Sequence, residues 1–225
     1  DTRGNVLTEK SAPYDATEFI GHTYTYDSNG RYLLTDTDAL GHTTTYANYN
    51  KFGKPEKVTD FRNRSIYYSY DAWGNRTHKV YPTGAIEHTQ YDWGGTGAYT
   101  ITQTIPGEPQ TITHYDGLGR DVRSGVKRFD GQWQFVDTQY NRYGMVYKKS
   151  LPFRGSSATY WNTYTYDNYD RPTKIAETSG RETTWSYSGT SITTVKDGIT
   201  SVSTKDASGN VVSVQDAGGT ITYTL

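Results

Sequence analysis

The sequence predicts an all-β protein, a repetitive antiparallel meander of β-hairpins forming a curved sheet. Three observations predict it. One short phrase recurs along the 225 residues: an aromatic, an Asp or Asn, two free positions, then glycine. Turn signals alternate about every ten residues, which leaves strands of ordinary length between them. Large residues also alternate with hydroxyl residues just before each turn, the period of a strand with two unlike faces.

The phrase reads Tyr26-Asp27-Ser28-Asn29-Gly30, Tyr49-Asn50-Lys51-Phe52-Gly53 and Tyr70-Asp71-Ala72-Trp73-Gly74, then Tyr115-Asp116-Gly117-Leu118-Gly119 and Tyr140-Asn141-Arg142-Tyr143-Gly144. Worn copies are Tyr91-Asp92-Trp93-Gly94-Gly95, Tyr166-Asp167-Asn168-Tyr169-Asp170 and Lys205-Asp206-Ala207-Ser208-Gly209. From Tyr26 to Tyr166 the leading tyrosines stand 21 to 26 residues apart, and such a period denotes an array of small stacked units. Residues 1–225 therefore read as a single array of about eight or nine repeats. The opening Asp1-Thr2-Arg3-Gly4 lies inside a copy, as expected of a piece of a longer protein.

Each copy carries two turns. In the first, the Asp or Asn side chain accepts from backbone two residues on, and the closing glycine takes a positive φ, as a type I turn with a glycine bulge requires. The second turns fall at Asp36 to Gly41, Tyr81 to Gly84, Ile105 to Gly107, Leu151 to Gly155, Glu177 to Gly180, Lys196 to Gly198 and Asp216 to Gly219. Pro82, Pro106 and Pro152 suit those turns, while Pro55 and Pro172 follow first turns, where an amide facing away from its neighbour strand loses no ladder bond. Into the turns run Tyr24-Thr25-Tyr26, Tyr68-Ser69-Tyr70, Tyr164-Thr165-Tyr166, Trp185-Ser186-Tyr187 and Ile221-Thr222-Tyr223. That alternation predicts one aromatic face, its tyrosines aligned into cross-strand ladders, and one hydroxyl face. About 16 to 20 strands and negligible helix follow.

Composition limits the function. The 23 basic and 24 acidic residues balance, so there is no electrostatic footprint for nucleic acid or an anionic membrane. No apolar run approaches the length of a membrane-spanning helix. Without cysteine there is neither a disulfide framework nor a thiolate nucleophile or metal site. With 33% hydrophobic residues and 22 tyrosines, a thick aliphatic core is not expected.

The repeated Tyr-Asp phrase resembles the YD-repeat, or Rhs (rearrangement-hotspot), family over essentially the whole chain, most closely at Tyr26 to Tyr46 and Asp206 to Leu225. The family includes bacterial Rhs polymorphic toxins, B and C components of insecticidal toxin complexes, and teneurins. The resemblance implies a segment of a hollow β-shell, with further repeats and an enclosed toxin polypeptide as partners, in a secreted or cell-surface protein. No proline follows an aspartate, so the family's self-cleavage motif is not assigned.

No constellation argues for catalysis. There is no G-x-S-x-G elbow, P-loop or H-E-x-x-H, and Gly117-Leu118-Gly119 is a turn and not a nucleotide loop. His42, His88 and His114 read as plain strand positions without a carboxylate or second histidine at ligand spacing. Asp36 to Gly41 reads as turn capping, since the bidentate glutamate of a calcium loop is missing. No catalytic residue, cofactor or metal is assigned. The rival to a wall segment is an extracellular carbohydrate-binding or adhesion module. It would use Trp73 and Trp93, expected at the third position of consecutive turns, as stacking platforms for a glycan. The alternative for those rings is to fold back over the neighbouring repeat.

Overall fold

The computed structural model describes residues 1–11, 20–94 and 98–223, and these form strands and turns without a helix. Gly95 and Leu225, which belong to two of the copies above, lie outside the described residues. The chain divides into two compact units, Asp1–Asp92 with Ile101–Gln110, and Trp93–Thr100 with Thr111–Leu225. The first holds β1 (Thr8–Ser11), β2 (Ile20–Tyr26), β3 (Leu33–Thr37), β4 (Thr43–Tyr49), β5 (Pro55–Thr59), β6 (Ser65–Tyr70), β7 (Arg76–Val80) and nearly all of β8 (Ile86–Trp93). β9 (Tyr99–Thr104) is divided between the two. The second holds β10 (Thr111–Tyr115), β11 (Asp121–Lys127), β12 (Trp133–Tyr140), β13 (Val146–Ser150), β14 (Trp161–Tyr166) and β15 (Pro172–Ala176). It continues through β16 (Glu182–Ser188), β17 (Ser191–Lys196), β18 (Ile199–Lys205), β19 (Val211–Asp216) and β20 (Gly219–Thr222).

Within each unit, consecutive strands pair antiparallel, β1 through β8 and β10 through β20. This is the hairpin meander that the turn spacing predicts. Its first turns close as expected. In the Asp71 turn, the Gly74 amide donates to the Asp71 carbonyl at 3.2 Å and the Asp71 amide to the Asn75 carbonyl at 2.9 Å, with Gly74 at φ 86. Asp170 and Asn63 occupy the same left-handed position without being glycine, at φ 62 and 59. Both residue types tolerate that region better than other side chains.

Beside the turns, the ladder shifts register by one residue at Thr25/Tyr26, Ser69/Tyr70, His114/Tyr115, Gln139/Tyr140, Thr165/Tyr166 and Thr204/Lys205. A bulge therefore stands beside six of the leading residues, Tyr49 pairing with Pro55 without a shift, and the faces sort around these bulges. Thr25, Thr35, Thr45, Thr59 and Ser65 are successive cross-strand partners over five strands. Their hydroxyls meet at 2.5 Å (Thr25–Thr35) and 2.9 Å (Thr59–Ser65). The hydroxyl face is real.

The aromatic ladders are not continuous. Tyr26, Tyr70, Tyr140 and Tyr166 pair with Leu33, Arg76, Val146 and Pro172, not with tyrosine. The reason is spacing: successive leading tyrosines are two strands apart, about 9–10 Å, too far for ring contact. Rings do stack where a turn or an intervening strand supplies one, at Tyr32–Tyr49 (4.5 Å) and Tyr99–Tyr115 (4.6 Å). Among the described residues no hydrophobic side chain is fully buried, and only Thr89 and Ser150 are buried polar residues. Stability rests on ladder hydrogen bonds and half-buried faces, not on a packed interior.

Three expectations are corrected here. In the Tyr91-Asp92-Trp93 copy, Asp92 caps no turn among the described residues, because β8 runs on to Trp93 and the Asp92 carboxylate accepts from the Gln90 amide at 3.0 and 3.1 Å. The Leu151 to Gly155 turn is part of a longer excursion, closed by the Leu151 amide on the Tyr160 carbonyl, in which Phe153 bridges back to Phe135 of β12. Second turns also form at Asp60 to Asn63 and Arg128 to Gly131. The first is hidden because Asn63 stands where glycine is looked for. The second has its glycine in register and was legible.

Candidate functional site

The feature that repeats with the sequence is a clasp between neighbouring hairpins. The leading tyrosine ends the rising strand of its own hairpin. Antiparallel pairing brings its hydroxyl to the start of the strand that leaves the preceding turn. Tyr26 donates to the Val6 carbonyl at 3.0 Å, Tyr70 to Pro55 at 3.1 Å, Tyr140 to Asp121 at 2.8 Å and Tyr166 to Val146 at 2.8 Å. Tyr187 donates to Pro172 at 2.7 Å, and Tyr49 donates to Leu33. In five of these six pairs, the acceptor lies two residues past the final turn position. Leu33 lies three past, because the Asp27 turn is one residue longer and closes on Tyr32. Pro55 and Pro172 fit this station, since the acceptor is a carbonyl and each proline begins its strand.

The residue between glycine and acceptor completes the clasp. Lys54 Nζ lies 5.6 Å over the Tyr70 ring, Arg120 4.7 Å over Tyr140 and Arg171 4.2 Å over Tyr187. Each is a cation held against the negative face of the next repeat's aromatic ring. The same residue often seals its own turn. Asp116 Oδ1 accepts the amides of Leu118 and Arg120, and Oδ2 accepts Arg120 Nε at 2.8 Å. Asp167 does the same with Tyr169 and Arg171. Asp71 and Asp206 use Asn75 and Asn210, and Asn50 and Asn141 cap amides alone. The Arg120 guanidinium and then its backbone amide hold the Asp116 carboxyl below the usual carboxylate range. These cations at four residues past the acid were not picked out in the sequence, although the Asp/Asn-x-x-Gly-Arg/Lys/Asn spacing carries them.

Turns also touch one another. Phe52 packs against Gly74 of the next turn, where an added Cβ would meet its ring at 3.0 Å, and Lys54 Nζ donates to the Gly74 carbonyl at 2.7 Å. Trp73 does not fold back in the same way. It is 78% exposed. Trp93, at the end of a strand and not in a turn, lies 5.0 Å from the Tyr99 ring.

A groove of about 620 Å³, open to solvent, is lined by His114, Asp116, Arg120, Arg123, Asp137 and Tyr140 among others. Its charges are spoken for. Arg123 binds Asp137 through two parallel bonds of 2.6 and 2.7 Å, and its guanidinium lies over the rings of Phe135 and Phe153. Burial, then Arg123, pushes the His114 imidazole below its ordinary value, and its Nδ1 meets Thr100 Oγ1 at 3.0 Å. Both lining carboxylates are clamped by arginine, Asp116 by Arg120 and Asp137 by Arg123. The arrangement is a brace. Burial raises the Asp121 carboxyl, whose Oδ1 is buried without a partner, but its backbone carbonyl serves the Tyr140 clasp.

The histidine reading is corrected. His22 Nδ1 lies 2.5 Å from Asp36, His42 Nδ1 lies 3.0 Å from Asp38, and His78 and His88 are direct cross-strand partners. Asp38 still caps its turn, accepting the amides of Leu40 and His42.

The fold and clasp define an antiparallel hairpin-repeat sheet. No protein-family model matches the chain, and no curated protein matches it. The crystal structure of TcdB2-TccC3-TEV is similar, with a TM-score of 0.68 and 13% identity over 87% of this chain and 16% of that one. That of TcdB2-TccC3-Cdc42 is similar with a TM-score of 0.68 and 14% identity over 90% of this chain and 17% of that one. A Photorhabdus luminescens Tc holotoxin pore aligns at 20% identity over 92% of this chain and 10% of that one, with a TM-score of 0.38. The chain thus spans about a sixth of the length of the first two, and the likeness to them is one of fold.

Proposed function

We propose that this chain is a non-catalytic wall segment of a YD-repeat shell that encloses a toxin polypeptide. The observation that carries the reading is the clasp. Six tyrosine–carbonyl bonds tie hairpin to hairpin while no hydrophobic side chain among the described residues is fully buried. A sheet that holds together without filling an interior leaves a face free for cargo, and the hydroxyl ladder suits a wet or unfolded one. The likeness to TcdB2-TccC3 structures and the resemblance to toxin shells support the same reading. Its partners are further repeats of the same polypeptide or complex and the enclosed chain, in a secreted or cell-surface protein.

Protease protection tests this in the longer protein that carries these repeats. The enclosed polypeptide should resist a protease at concentrations that digest the same polypeptide when free. Digestion at the free rate would sink the proposal.

One observation favours a second reading, a glycan-binding module: Trp73 stands almost fully exposed at a turn tip. Loss of a measured glycan affinity in Trp73→Ala, with unchanged melting, would establish it.

A further inference from the structure

We propose that His78 and His88 form a two-histidine site for a divalent transition-metal ion of the copper, nickel and zinc group, independent of the wall function. The two residues face each other directly across β7 and β8, one from each strand. Their ring centres are 4.6 Å apart and the rings are tilted by 41°. With metal–nitrogen bonds of about 2.0–2.1 Å, two imidazoles in adjacent coordination positions have centres roughly 4.5 Å apart. The pair already stands at that separation.

His78 Nδ1 meets Thr77 Oγ1 at 3.2 Å, and no partner of Nε2 occurs among the described residues. A ring held by oxygen at one nitrogen and open at the other is the disposition metal-bound histidines use. His88 has no hydrogen-bond partner among the described residues. Both rings are half-buried, so an ion can enter from solvent and keep water in its other positions. The nearest cations on these strands are engaged elsewhere: Lys79 donates to Tyr81 at 2.8 Å and lies 3.9 Å from Glu87, and Arg76 lies 3.8 Å from Glu87. His22 and His42 lack this geometry, since neither has a second imidazole opposite; His22 faces Glu9. Imidazole ligands favour copper within this group by the general affinity order.

The test is a Cu²⁺ titration of the 225-residue chain at pH 7.5 by calorimetry, with electron paramagnetic resonance of the bound ion. One ion per chain with two equatorial imidazole nitrogens is expected. His78→Asn and His88→Gln should each weaken binding at least about tenfold, because each removes one of two ligands. A His22→Asn/His42→Asn double variant should bind as the parent does. Circular dichroism of each variant without metal checks that the strands remain. Absence of binding, a one-nitrogen spectrum, or binding that survives His78→Asn in a folded chain would overturn the proposal.

Discussion

The Tyr140 hydroxyl donates to the Asp121 carbonyl at 2.8 Å, and Arg120, the residue preceding that carbonyl, lies 4.7 Å over the same ring. The tyrosine of one repeat is thus read twice by the turn before it, once by a backbone acceptor and once by a side-chain cation. The period of the sequence is the period of this contact.

Removing only the hydroxyl isolates the first half of the clasp. Tyr140→Phe or Tyr166→Phe should lower stability by about 1 kcal/mol, since a half-buried carbonyl loses its donor while the ring stays. Urea unfolding followed by far-ultraviolet circular dichroism measures the effect. A Tyr143→Phe control, whose ring is largely exposed and bonded only to Arg142, should change little. Equal effects at all three positions would remove the clasp from the account.

Two turn glycines separate backbone strain from contact. Gly144 has φ 84 with open space around an added Cβ, so Gly144→Ala should cost about 1–2 kcal/mol from conformation alone. Gly74 has φ 86 and the Phe52 ring against it, so Gly74→Ala should cost more. Adding Phe52→Ala should relieve that excess in a double-mutant cycle. Ala72→Ser, at a free turn position, should be nearly neutral. No coupling between positions 52 and 74 would contradict the packing described.

The turn acids set an acid limit. Asp60 is held low first by the Arg64 backbone amide and then by its side chain, and Asp116 first by the Arg120 side chain and then by its amide. A carboxyl whose folded pKa lies below its unfolded value contributes stability that is complete above the ordinary carboxylate range and is lost as pH falls through the depressed folded value. Melting temperature should therefore fall steeply below about pH 4, where unfolded carboxylates begin to take up protons. Asp116→Asn should flatten part of that slope. His22 acts in the opposite sense: the hydrogen bond to Asp36 raises its pKa, so its contribution is complete below the ordinary imidazole value and disappears as pH rises through the raised one. A slope unchanged in Asp116→Asn would show that this cap does not titrate with folding.

The two candidate tryptophans should now behave differently. Trp93→Ala removes a ring pair with Tyr99, worth roughly 0.5–1.5 kcal/mol beyond area. Trp73→Ala removes an exposed ring and should leave the melting temperature nearly unchanged. A glycan array should show no binding for parent or variant if the chain is a wall alone.

The meander and its turns were legible in the residues alone, because their chemistry closes within five residues. An Asp71 side chain capping Trp73 and Asn75, and a Gly74 of positive φ, need nothing distant. The hydroxyl ladder was legible too, since alternation survives any regular pairing. Which residues meet across strands depends on the register of the folded sheet. Tyr70 finds Pro55 at a distance of 15 residues, Phe52 finds Gly74, and His78 finds His88 through registers set by bulges beside the turns. One inserted residue moves every following side chain to the other face, and nothing in local spacing announces it. Asp92 likewise looked like a turn cap: the phrase is present, but β8 continues through Asp92 to Trp93, and local spacing does not show where a strand runs on.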